Sequence, residues 1–292
     1  MPLKTALVTG CSAGGLGAAI ARSFQEAGFH VFATVRDPSK VCSSLTNAPN
    51  VEVLPLDVTS APSITACATH VSRKTGGTLD VLVNNAGGGF IQPLLHTSIA
   101  EGKEIFDVNV WGILAMAQAC APLLVEAKGA MVNISSIGGT NPVAWQGIYN
   151  SSKAAATFLS ETLRFEMEPL GVRVVTAMVG SVKTEIYSKK KLRLPDDSWY
   201  KSIEKIMERQ ARGELQEPTN ETADVTAANI VRDTVNGARG KIWRGGKAGM
   251  VSYTSWLLPT VVIEWMMQKP RGLPELRAEC SKTRGISGKG SG

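Results

Sequence analysis

The sequence predicts an α/β fold in which a single, doubly wound parallel sheet of about seven strands carries helices on both faces. Two observations support this prediction. Short apolar segments rich in β-branched residues alternate along the chain with segments whose apolar residues recur at helical spacing. The strand segments are also apolar along their whole length, as expected of strands that are covered on both faces. The 292 residues are enough for one large domain with a sizeable core.

Each strand is predicted from a short apolar stretch that ends at turn residues, and each helix from the apolar spacing between strands. In chain order, the predicted strands are TALVTG, HVFATVRD, VEVLPLDVT, LDVLVNNAG, GAMVNISS, VRVVTAMVG and GKIWRG. The predicted helices cover 15–28, 61–75, 99–128 and 149–168. Because ligands of such sheets bind at the carboxyl ends of the strands, we expect the functional residues directly after strands.

The chain is divided by composition into three parts. We expect one main domain over 1–249, and within it a charged, partly helical lid over 185–225 that follows the sixth strand. An apolar, aromatic segment follows at 250–268, and then a basic tail at 269–292, which we expect to be mobile. The apolar segment is interrupted by Pro259 and Glu264 and is too short to span a bilayer. We favour a place in the core or in a pocket wall; contact with a membrane surface and a subunit interface are the alternatives.

Composition excludes several classes of protein. Apolar residues make up 43% and charged residues 19%, as in ordinary soluble proteins. The net charge of +6 is scattered, which disfavours a nucleic-acid partner. The five cysteines form no CxxC motif and the three histidines lack ligand spacing, so we expect no metal site and a reducing compartment. No secretory signal is visible, so we expect a cytoplasmic protein, or one peripheral on an intracellular membrane or lipid droplet.

The stretch TGCSAGGLG, at 9–17 between the first strand and the first helix, predicts a phosphate-binding turn. Glycines let the backbone approach a pyrophosphate closely, and the helix N-terminus that follows supplies amide donors and a favourable dipole. Tight packing alone also requires glycines in such a turn. The order of strand, turn and helix favours a nucleotide.

The end of the second strand, ATVRDP, bears on the choice between NADP and NAD. An arginine there pairs with the 2′-phosphate of NADP, whereas an acid hydrogen-bonds the ribose hydroxyls of NAD. Arg36 comes first and Asp37 follows, so we favour NADP as the cofactor. The alternative is that Arg36 is a solvated loop residue and Asp37 contacts the ribose.

The stretch YNSSKAAA places Tyr149 four residues before Lys153, on one face of a predicted helix. A free tyrosine, with a pKa of about 10, is a poor proton-transfer group at neutral pH. A nearby ammonium stabilises the phenolate, so the spacing predicts that Lys153 lowers the pKa of Tyr149. Taken alone, the same spacing is also typical of surface packing.

Taken in order, these motifs resemble the short-chain dehydrogenase/reductase family. The resemblance covers residues 4–184 and rests on the glycine turn, Asp57, NNAG at 84–87, Asn109, Ser136 and the pair Tyr149 and Lys153. It implies that the main domain is a Rossmann-type, NADP-binding catalytic domain. The cofactor-binding residues that it implies are Gly10, Gly15, Leu16, Gly17, Arg36, Asp57, Val58, Asn84, Gly87, Tyr149, Lys153, Gly180, Val182 and Thr184.

The resemblance assigns a part of the cofactor to each group of residues. The glycine turn would hold the pyrophosphate, and Asp57 and Val58 would contact the adenine. Asn84 and Gly87 would line the adenosine ribose side and steady the sheet. The segment 180–184 would position the nicotinamide and the phosphates.

The resemblance also implies a catalytic set of four residues. Tyr149 would exchange a proton with the substrate oxygen, Ser136 would polarise the carbonyl, and Lys153 would also hydrogen-bond the nicotinamide ribose. Asn109 would hold a water that links Lys153 to solvent; the alternative, which does not exclude this role, is an asparagine that satisfies backbone groups at a helix irregularity. Ser135 is the neighbour of Ser136, but the offset of thirteen residues from Tyr149 matches Ser136.

Two departures from the family pattern are visible. Four residues separate Gly10 from the GLG triplet, where the common pattern has three, so either Gly14 or Gly15 faces the phosphates. The usual Pro-Gly after the sixth strand is Val179-Gly180, which loosens one backbone angle and removes no chemical group.

The motifs predict the reaction better than the substrate. We expect NADPH-dependent reduction of a lipophilic ketone, reversible as alcohol oxidation, because the sequence resembles a fungal branch of acylglycerone-phosphate reductases that also serves secondary metabolism. Reduction of acyl-dihydroxyacetone phosphate is the first alternative: Lys189, Lys190, Lys191 and Arg193 would meet its phosphate, although a solvated charged face is the plainer interpretation. A non-catalytic NADP sensor is the second. Relatives often form dimers or tetramers through the two long helices.

Overall fold

The computed structural model of the chain describes residues 3–184, 192–215 and 220–287. Its strands are β1 (Thr5–Val8), β2 (His30–Val35), β3 (Val51–Pro55), β4 (Val81–Asn84), β5 (Ala130–Ile134), β6 (Arg173–Val179), β7 (Val182–Lys183), β8 (Glu221–Thr222) and β9 (Gly240–Arg244). Its α-helices are α1 (Leu16–Glu26), α2 (Ser43–Thr46), α3 (Ala61–Thr75), α4 (Ile99–Phe106), α5 (Gly112–Ala127), α6 (Gly147–Met167), α7 (Glu204–Ala211), α8 (Ala223–Val235), α9 (Ala248–Leu257), α10 (Thr260–Gln268) and α11 (Leu273–Ser287).

The seven predicted strands form one parallel sheet, in the order β3-β2-β1-β4-β5-β6-β9. The predicted doubly wound α/β fold is therefore confirmed. The strand order reverses between β1 and β4, whose residues Val8 and Val83 pair at their carboxyl ends. Connections leave these two strands in opposite directions, so a crevice opens between them at this edge of the sheet.

Alternate side chains of each strand enter two separate cores, which explains why the strand segments are apolar throughout. Ala6 and Val8 of β1 lie in the core that α1 and α8 cover. Leu7, between them, lies in the second core with Ile64 of α3 and Met116 of α5. Both faces of the sheet are thus buried by helices, and the strands are fixed in position beneath the candidate site.

The predicted helix at 99–128 is divided in the structure. α4 and α5 are joined by a π-helical turn at Asp107–Trp111. The combined run Ile99–Ala127 is long and apolar enough to cross a membrane by length and composition, but half of its apolar window is buried inside the protein. Because α5 also packs against α3, the run is a core helix of this domain.

The region after β6 forms a small third cluster beside the carboxyl edge of the sheet. Ile203 and Met207, which belong to the expected lid, pack with Trp145 from the loop before α6. The carbonyl of Arg193 accepts a hydrogen bond from the side chain of Gln92, which ties this region to the loop after β4. Residues 189–191, for which we expect a phosphate-binding role, lie outside the described residues, so that expectation stays a prediction.

The C-terminal part differs from the sequence expectation in two ways. Only Ala248 and Ile263 of α9 and α10 are buried, so the favoured placement of this apolar segment in the core is wrong for most of its side chains. The tail, expected to be mobile, contains helix α11. Its residues Leu273 and Leu276 pack on the cluster around Met207, and this apolar contact explains why a helix forms there.

Candidate active site

Ser136 and Tyr149 meet at the carboxyl end of β5. Ser136 follows this strand and caps the short 3₁₀ turn Ile137–Gly139, because its Oγ accepts a hydrogen bond from the amide of Gly138 at 3.0 Å. The hydroxyl of Tyr149, in the first turn of α6, lies near enough to the Ser136 side chain for the two to interact. A substrate oxygen that reaches one of these hydroxyls therefore also reaches the other.

Two glycines that the sequence argument missed allow the 3₁₀ turn to lie against α6. A Cβ on Gly138 would lie 3.4 Å from Oγ of Ser136 and 3.5 Å from Cε1 of Tyr149. A Cβ on Gly139 would lie 2.8 Å from the carbonyl carbon of Lys153, closer than real Cβ contacts. The signal for both was the Gly-Gly pair that follows the strand and its serines after one residue, Ile137.

Ser135 faces away from the tyrosine and supports the backbone of α6. Its hydroxyl donates to the carbonyl of Lys153 at 3.1 Å and lies 2.6 Å from Oγ1 of Thr157. The structure thus separates the two neighbouring serines: Ser136 contacts the predicted proton donor, and Ser135 fixes the helix that carries it.

Lys153 is almost fully buried, with 5% of its surface exposed, and its amine donates a hydrogen bond to the carbonyl of Ile134 at 2.9 Å. This bond fixes the amine at the carboxyl end of β5. Burial lowers the pKa of Lys153 from its ordinary value of 10.5 to about 8, because the charged form loses its hydration.

The pKa of Tyr149 is raised above its ordinary value of 10.0, which corrects the expectation that Lys153 lowers it. Burial is the larger cause, since it disfavours the phenolate; the hydrogen bond with Ser136 acts in the opposite direction. Sequence spacing places the lysine near the phenol, but it does not report how strongly folding desolvates the phenol.

Asn109 lies fully buried in the π-helical turn between α4 and α5. Its Oδ1 accepts from the amide of Gly88 at 2.9 Å, and its Nδ2 donates to the carbonyl of Gly88 at 3.1 Å and to Oγ of Ser152 at 2.9 Å. The alternative role at a helix irregularity is thus present in the structure. The predicted role in holding a water molecule stays a prediction.

Gly87 brings this asparagine close to the catalytic lysine. A Cβ on Gly87 would lie 3.0 Å from Oδ1 of Asn109 and 3.6 Å from Nζ of Lys153. Two predicted catalytic side chains therefore lie close to the same point of the backbone, and a side chain there would press on the asparagine oxygen.

The glycine turn is held against the end of β4 by side chains that the sequence argument did not single out. Asn85 donates through Nδ2 to the carbonyls of Thr9 at 2.9 Å and Gly10 at 3.2 Å. The hydroxyl of Thr9 accepts from the amides of Asn85 and Ala86, both at 2.9 Å. Thr9 and Asn85 belong to the motifs TG and NNAG, which already predict this part of the site from the sequence.

Gly10 and Gly17 are explained by close packing within this turn. Gly10 has φ +77°, a left-handed conformation that favours glycine, and a Cβ there would lie 2.9 Å from Cα of Ala86. A Cβ on Gly17 would overlap the Asn85 amide and the backbone of Gly10. Both glycines let the chain turn tightly beneath the start of α1.

The turn accommodates its extra residue at Gly14, which has the left-handed φ of +70°. Gly15 is then the N-cap of α1. A Cβ on Gly15 would meet only the carbonyl of Ser12, at 3.1 Å. The first amides of the helix, from Leu16 onward, have no intrahelical acceptor and carry the positive end of the helix dipole. This arrangement fits a pyrophosphate.

The structure distinguishes the two residues after β2, Arg36 and Asp37, that are candidates to contact the ribose side of the cofactor. The carboxylate of Asp37 accepts from the amide and the hydroxyl of Ser39, at 3.1 and 2.7 Å, and so caps a 3₁₀ turn; these hydrogen bonds lower its pKa. Arg36 is exposed. Hydrogen bonds from Thr59 lower the pKa of Asp57, and the Arg36 guanidinium lowers it further. Arg36 thus lies near the predicted adenine residue while Asp37 is engaged locally.

Asn84 belongs to a buried hydrogen-bonded chain that joins β4 to β5 and α6. Its Nδ2 donates to Oδ1 of Asn133 at 2.8 Å, and Nδ2 of Asn133 donates to Oγ of Ser160 at 2.9 Å. This is the predicted role of steadying the sheet. Val58, the other predicted neighbour of the adenine, is buried, and its Cγ2 would lie 2.9 Å from a Cβ on Gly112.

The segment after β6 lies against the loop after β9. The amide of Gly180 donates to the carbonyl of Arg244 at 2.9 Å, and a Cβ on Gly180 would lie 3.0 Å from the amide of Ala248. Val182 pairs with Glu221 in the short β7-β8 sheet. Thr184 directly follows β7, and its predicted contact with the cofactor stays a prediction.

The arrangement as a whole fits a dinucleotide. It combines glycines that leave no room for side chains, a helix N-terminus at the crevice between β1 and β4, and an exposed arginine after β2. The side chains of Ser136 and Tyr149 and the buried amine of Lys153 lie along the same edge, after β5. The edge thus joins a phosphate-binding turn to a pair of hydroxyls suited to proton transfer.

Comparison with known proteins agrees with this geometry. The family model described as short chain dehydrogenase matches residues 4–194. The chain is 48% identical over 261 residues to "Short-chain dehydrogenase cctT" of Talaromyces islandicus, covering 88% of this chain and 90% of that protein. It is 38% identical over 209 residues to "NADPH-dependent 1-acyldihydroxyacetone phosphate reductase" of Schizosaccharomyces pombe, covering 70% of each.

A solved structure extends the likeness to the fold. The short-chain dehydrogenase from Streptomyces avermitilis superposes with a TM-score of 0.74 at 27% identity. The match covers 98% of this chain and 97% of that one, so it includes the C-terminal part as well as the sheet.

Proposed function

This chain belongs to the short-chain dehydrogenase/reductase family of oxidoreductases, and on that premise we propose that it reduces a lipophilic ketone with NADPH. The observation that carries the proposal is the placement of the Ser136 and Tyr149 side chains next to each other, with the buried amine of Lys153 one helical turn away. A bound NADPH would supply the hydride; the chain supplies the proton and the binding of the substrate oxygen.

Tyr149 keeps its proton at neutral pH because its pKa is raised, and the same shift makes the hydroxyl a weaker acid than a free tyrosine. It gives that proton to the substrate oxygen as negative charge develops there. The Ser136 hydroxyl donates a hydrogen bond to the same oxygen. Lys153, with a pKa of about 8, is mostly charged at neutral pH and stabilises the phenolate that remains.

NADPH is the cofactor that the chain's own residues favour. The exposed guanidinium of Arg36 follows β2, where the 2′-phosphate of NADP is bound in folds of this class, and the competing carboxylate of Asp37 is engaged with Ser39. The Schizosaccharomyces pombe relative, whose name describes it as NADPH-dependent, supports the same choice.

A lipophilic substrate is supported by an apolar cluster that includes a residue of the loop leading to the proton donor. Trp145 is buried four residues before Tyr149 and packs with Ile203 and Met207 from the region after β6. Its ring lies 5.1 Å from that of Tyr200. We therefore propose a hydrophobic ketone, such as those of secondary metabolism, as the substrate class.

The second candidate function is reduction of an acyl-dihydroxyacetone phosphate. It is favoured by the 38% identity to the Schizosaccharomyces pombe relative, which bears that activity in its name. This substrate shares the apolar chain and adds a phosphate, for which the exposed Arg193 is a candidate contact. An Arg193→Ala variant that loses about tenfold in kcat/KM for the phosphorylated ketone alone would favour this function.

The test is oxidation of NADPH by the purified full chain in the presence of three substrates: a hydrophobic ketone, a short polar ketone and an acyl-dihydroxyacetone phosphate. We expect turnover of the hydrophobic ketone, with a kcat/KM at least tenfold above that of the polar one. Tight NADPH binding without turnover of any ketone would contradict the proposal and favour a cofactor sensor.

We also propose that the chain forms a homodimer through its two long helical regions. Phe158 and Phe165 of α6 are 80% and 64% exposed, and Trp111 of the π-helical turn is 55% exposed. A groove of about 570 Å³ between α4 and the start of α6 continues this apolar surface. Sedimentation velocity should give a dimer for the wild type and a monomer for Phe158→Asp.

A further inference from the structure

The α9–α10 hairpin, residues 248–268, presents an apolar surface that nothing in the described chain covers. Ala248 and Ile263 are its only buried residues. Trp256 is 88% exposed and Trp265 is 62% exposed. The exposed apolar side chains that matter most are Tyr253, Trp256, Leu257, Val261, Trp265 and Met266. Because soluble monomers rarely leave so many large apolar groups together in water, this surface is expected to have a partner.

The hairpin is fixed to the loop that joins the catalytic serine to the catalytic tyrosine. The side chain of Gln268 donates to the carbonyl of Pro142 at 2.9 Å and accepts from the amide of Ala144 at 3.1 Å. Nδ2 of Asn141 lies 3.2 Å from Oγ of Ser255. The apolar surface therefore has a fixed position beside the candidate active site.

The charged residues in and beside the hairpin in the sequence are mostly positive. Lys247 precedes it and Lys269 follows it, and Glu264 is the only acidic residue between them. The amine of Lys269 lies 5.2 Å from the centre of the Trp265 ring. From Lys269 to the end of the chain, six lysines and arginines stand against two glutamates. Such a border complements a negatively charged surface.

We propose that the α9–α10 hairpin docks on an anionic lipid surface, with both helices lying in the plane of the membrane. The helices have 10 and 9 residues, about 15 and 14 Å at 1.5 Å per residue, and Pro259 separates them, so neither spans a bilayer. Tryptophan and tyrosine beside lysine are typical of the membrane interface.

A lipid surface fits this border better than a second protein does. The cores of protein interfaces are depleted in lysine, whereas lysines beside a buried apolar face bind anionic headgroups. Docking brings the loop between Ser136 and Tyr149 towards the membrane, from which a lipophilic molecule can reach the site. The docking itself does not depend on turnover, so it is tested without the reaction.

The experiment is flotation of the full chain with vesicles of phosphatidylcholine alone and with about one third phosphatidylserine. We expect binding to the anionic vesicles that is at least about fivefold stronger than to the neutral ones and that weakens at high salt. The double variant Trp256→Ser, Trp265→Ser should lose at least about tenfold in binding. Trp199→Ser removes a tryptophan of comparable exposure, 74%, from outside the hairpin, and should bind as the wild type does.

A second measurement keeps the proposal testable if the double variant folds poorly. Brominated phosphatidylcholine in the anionic vesicles should quench the tryptophan fluorescence of the wild type, because Trp256 and Trp265 enter the bilayer interface. Failure of the wild type to float with either vesicle would overturn the proposal. So would a concentration-dependent dimer that the double variant loses without any binding to vesicles, since the surface would then bind a second copy.

Discussion

Lys153→Met is expected to separate the stability of the fold from its activity. The amine is buried and bonded to the Ile134 carbonyl, so the free energy of the folded state is raised by a buried charge whenever the lysine is protonated. Methionine fills a similar volume without charge. We expect the variant to fold, to bind NADPH weakly and to lose nearly all turnover, while its free energy of unfolding responds differently to pH.

The size of that response follows from the pKa of Lys153, which burial lowers from 10.5 to about 8. Between these values the unfolded chain binds more protons at this position than the folded chain, so the free energy of unfolding rises with pH. The stability that the folded state gains from a neutral Lys153 is complete above pH 10.5 and is lost as the pH falls through about 8. From about pH 7 to about pH 10, the wild type should gain about 2.5 kcal/mol relative to the variant.

The assay is urea unfolding of both proteins at several pH values across this range, with the difference in free energy plotted against pH. The same substitution at Lys74, which is exposed on α3, measures the effect of removing one lysine from the surface. A difference between the wild type and Lys153→Met that stays constant with pH would refute the burial of this amine. A wild type that loses stability relative to the variant as the pH rises would refute the sign of the Lys153 pKa shift.

Three further substitutions test other parts of the site. Ser136→Ala should lower kcat by about a hundredfold, whereas Ser135→Ala should cost about 1 kcal/mol of stability and leave kcat unchanged; steady-state kinetics and urea unfolding measure the two. Arg36→Ala should weaken NADPH binding by about 1.5 to 3 kcal/mol without affecting NADH, as titration calorimetry would show, and an equal loss for both cofactors would contradict the phosphate contact. Gly87→Ala places a Cβ 3.0 Å from the buried asparagine oxygen and should reduce turnover by about tenfold or more, whereas Gly88→Ala, whose Cβ meets an isoleucine methyl at 3.5 Å, should be tolerated.

The sheet was predictable because its signal is local. Strands buried on both faces must be apolar throughout, and the glycine turn lies where a strand must give way to a helix. The structure also separates the neighbouring serines: Ser136 lies near Tyr149, and Ser135 bonds to the backbone of α6, while the catalytic role of Ser136 stays a prediction. In both cases the order of residues along the chain determines the geometry.

The structure differs from the sequence predictions where contacts between distant segments determine the local conformation or burial. The π-helical turn at Asp107–Trp111 has an ordinary helical composition, but Asn109 bonds to the backbone of Gly88, which is remote in sequence. The direction of the Tyr149 pKa shift depends on burial, which residue spacing does not report. Apolar composition at 248–268 likewise does not say what covers it, and here the fold leaves it exposed.

The most direct test of the proton-donor assignment is the single-turnover rate of ketone reduction by Tyr149→Phe with NADPH already bound. Phenylalanine keeps the ring and removes only the hydroxyl that lies near Ser136. We predict a rate at least about a hundredfold below that of the wild type, with the NADPH dissociation constant changed by no more than about twofold. A variant that reduces the ketone at the wild-type rate would contradict the assignment of Tyr149 as the proton donor.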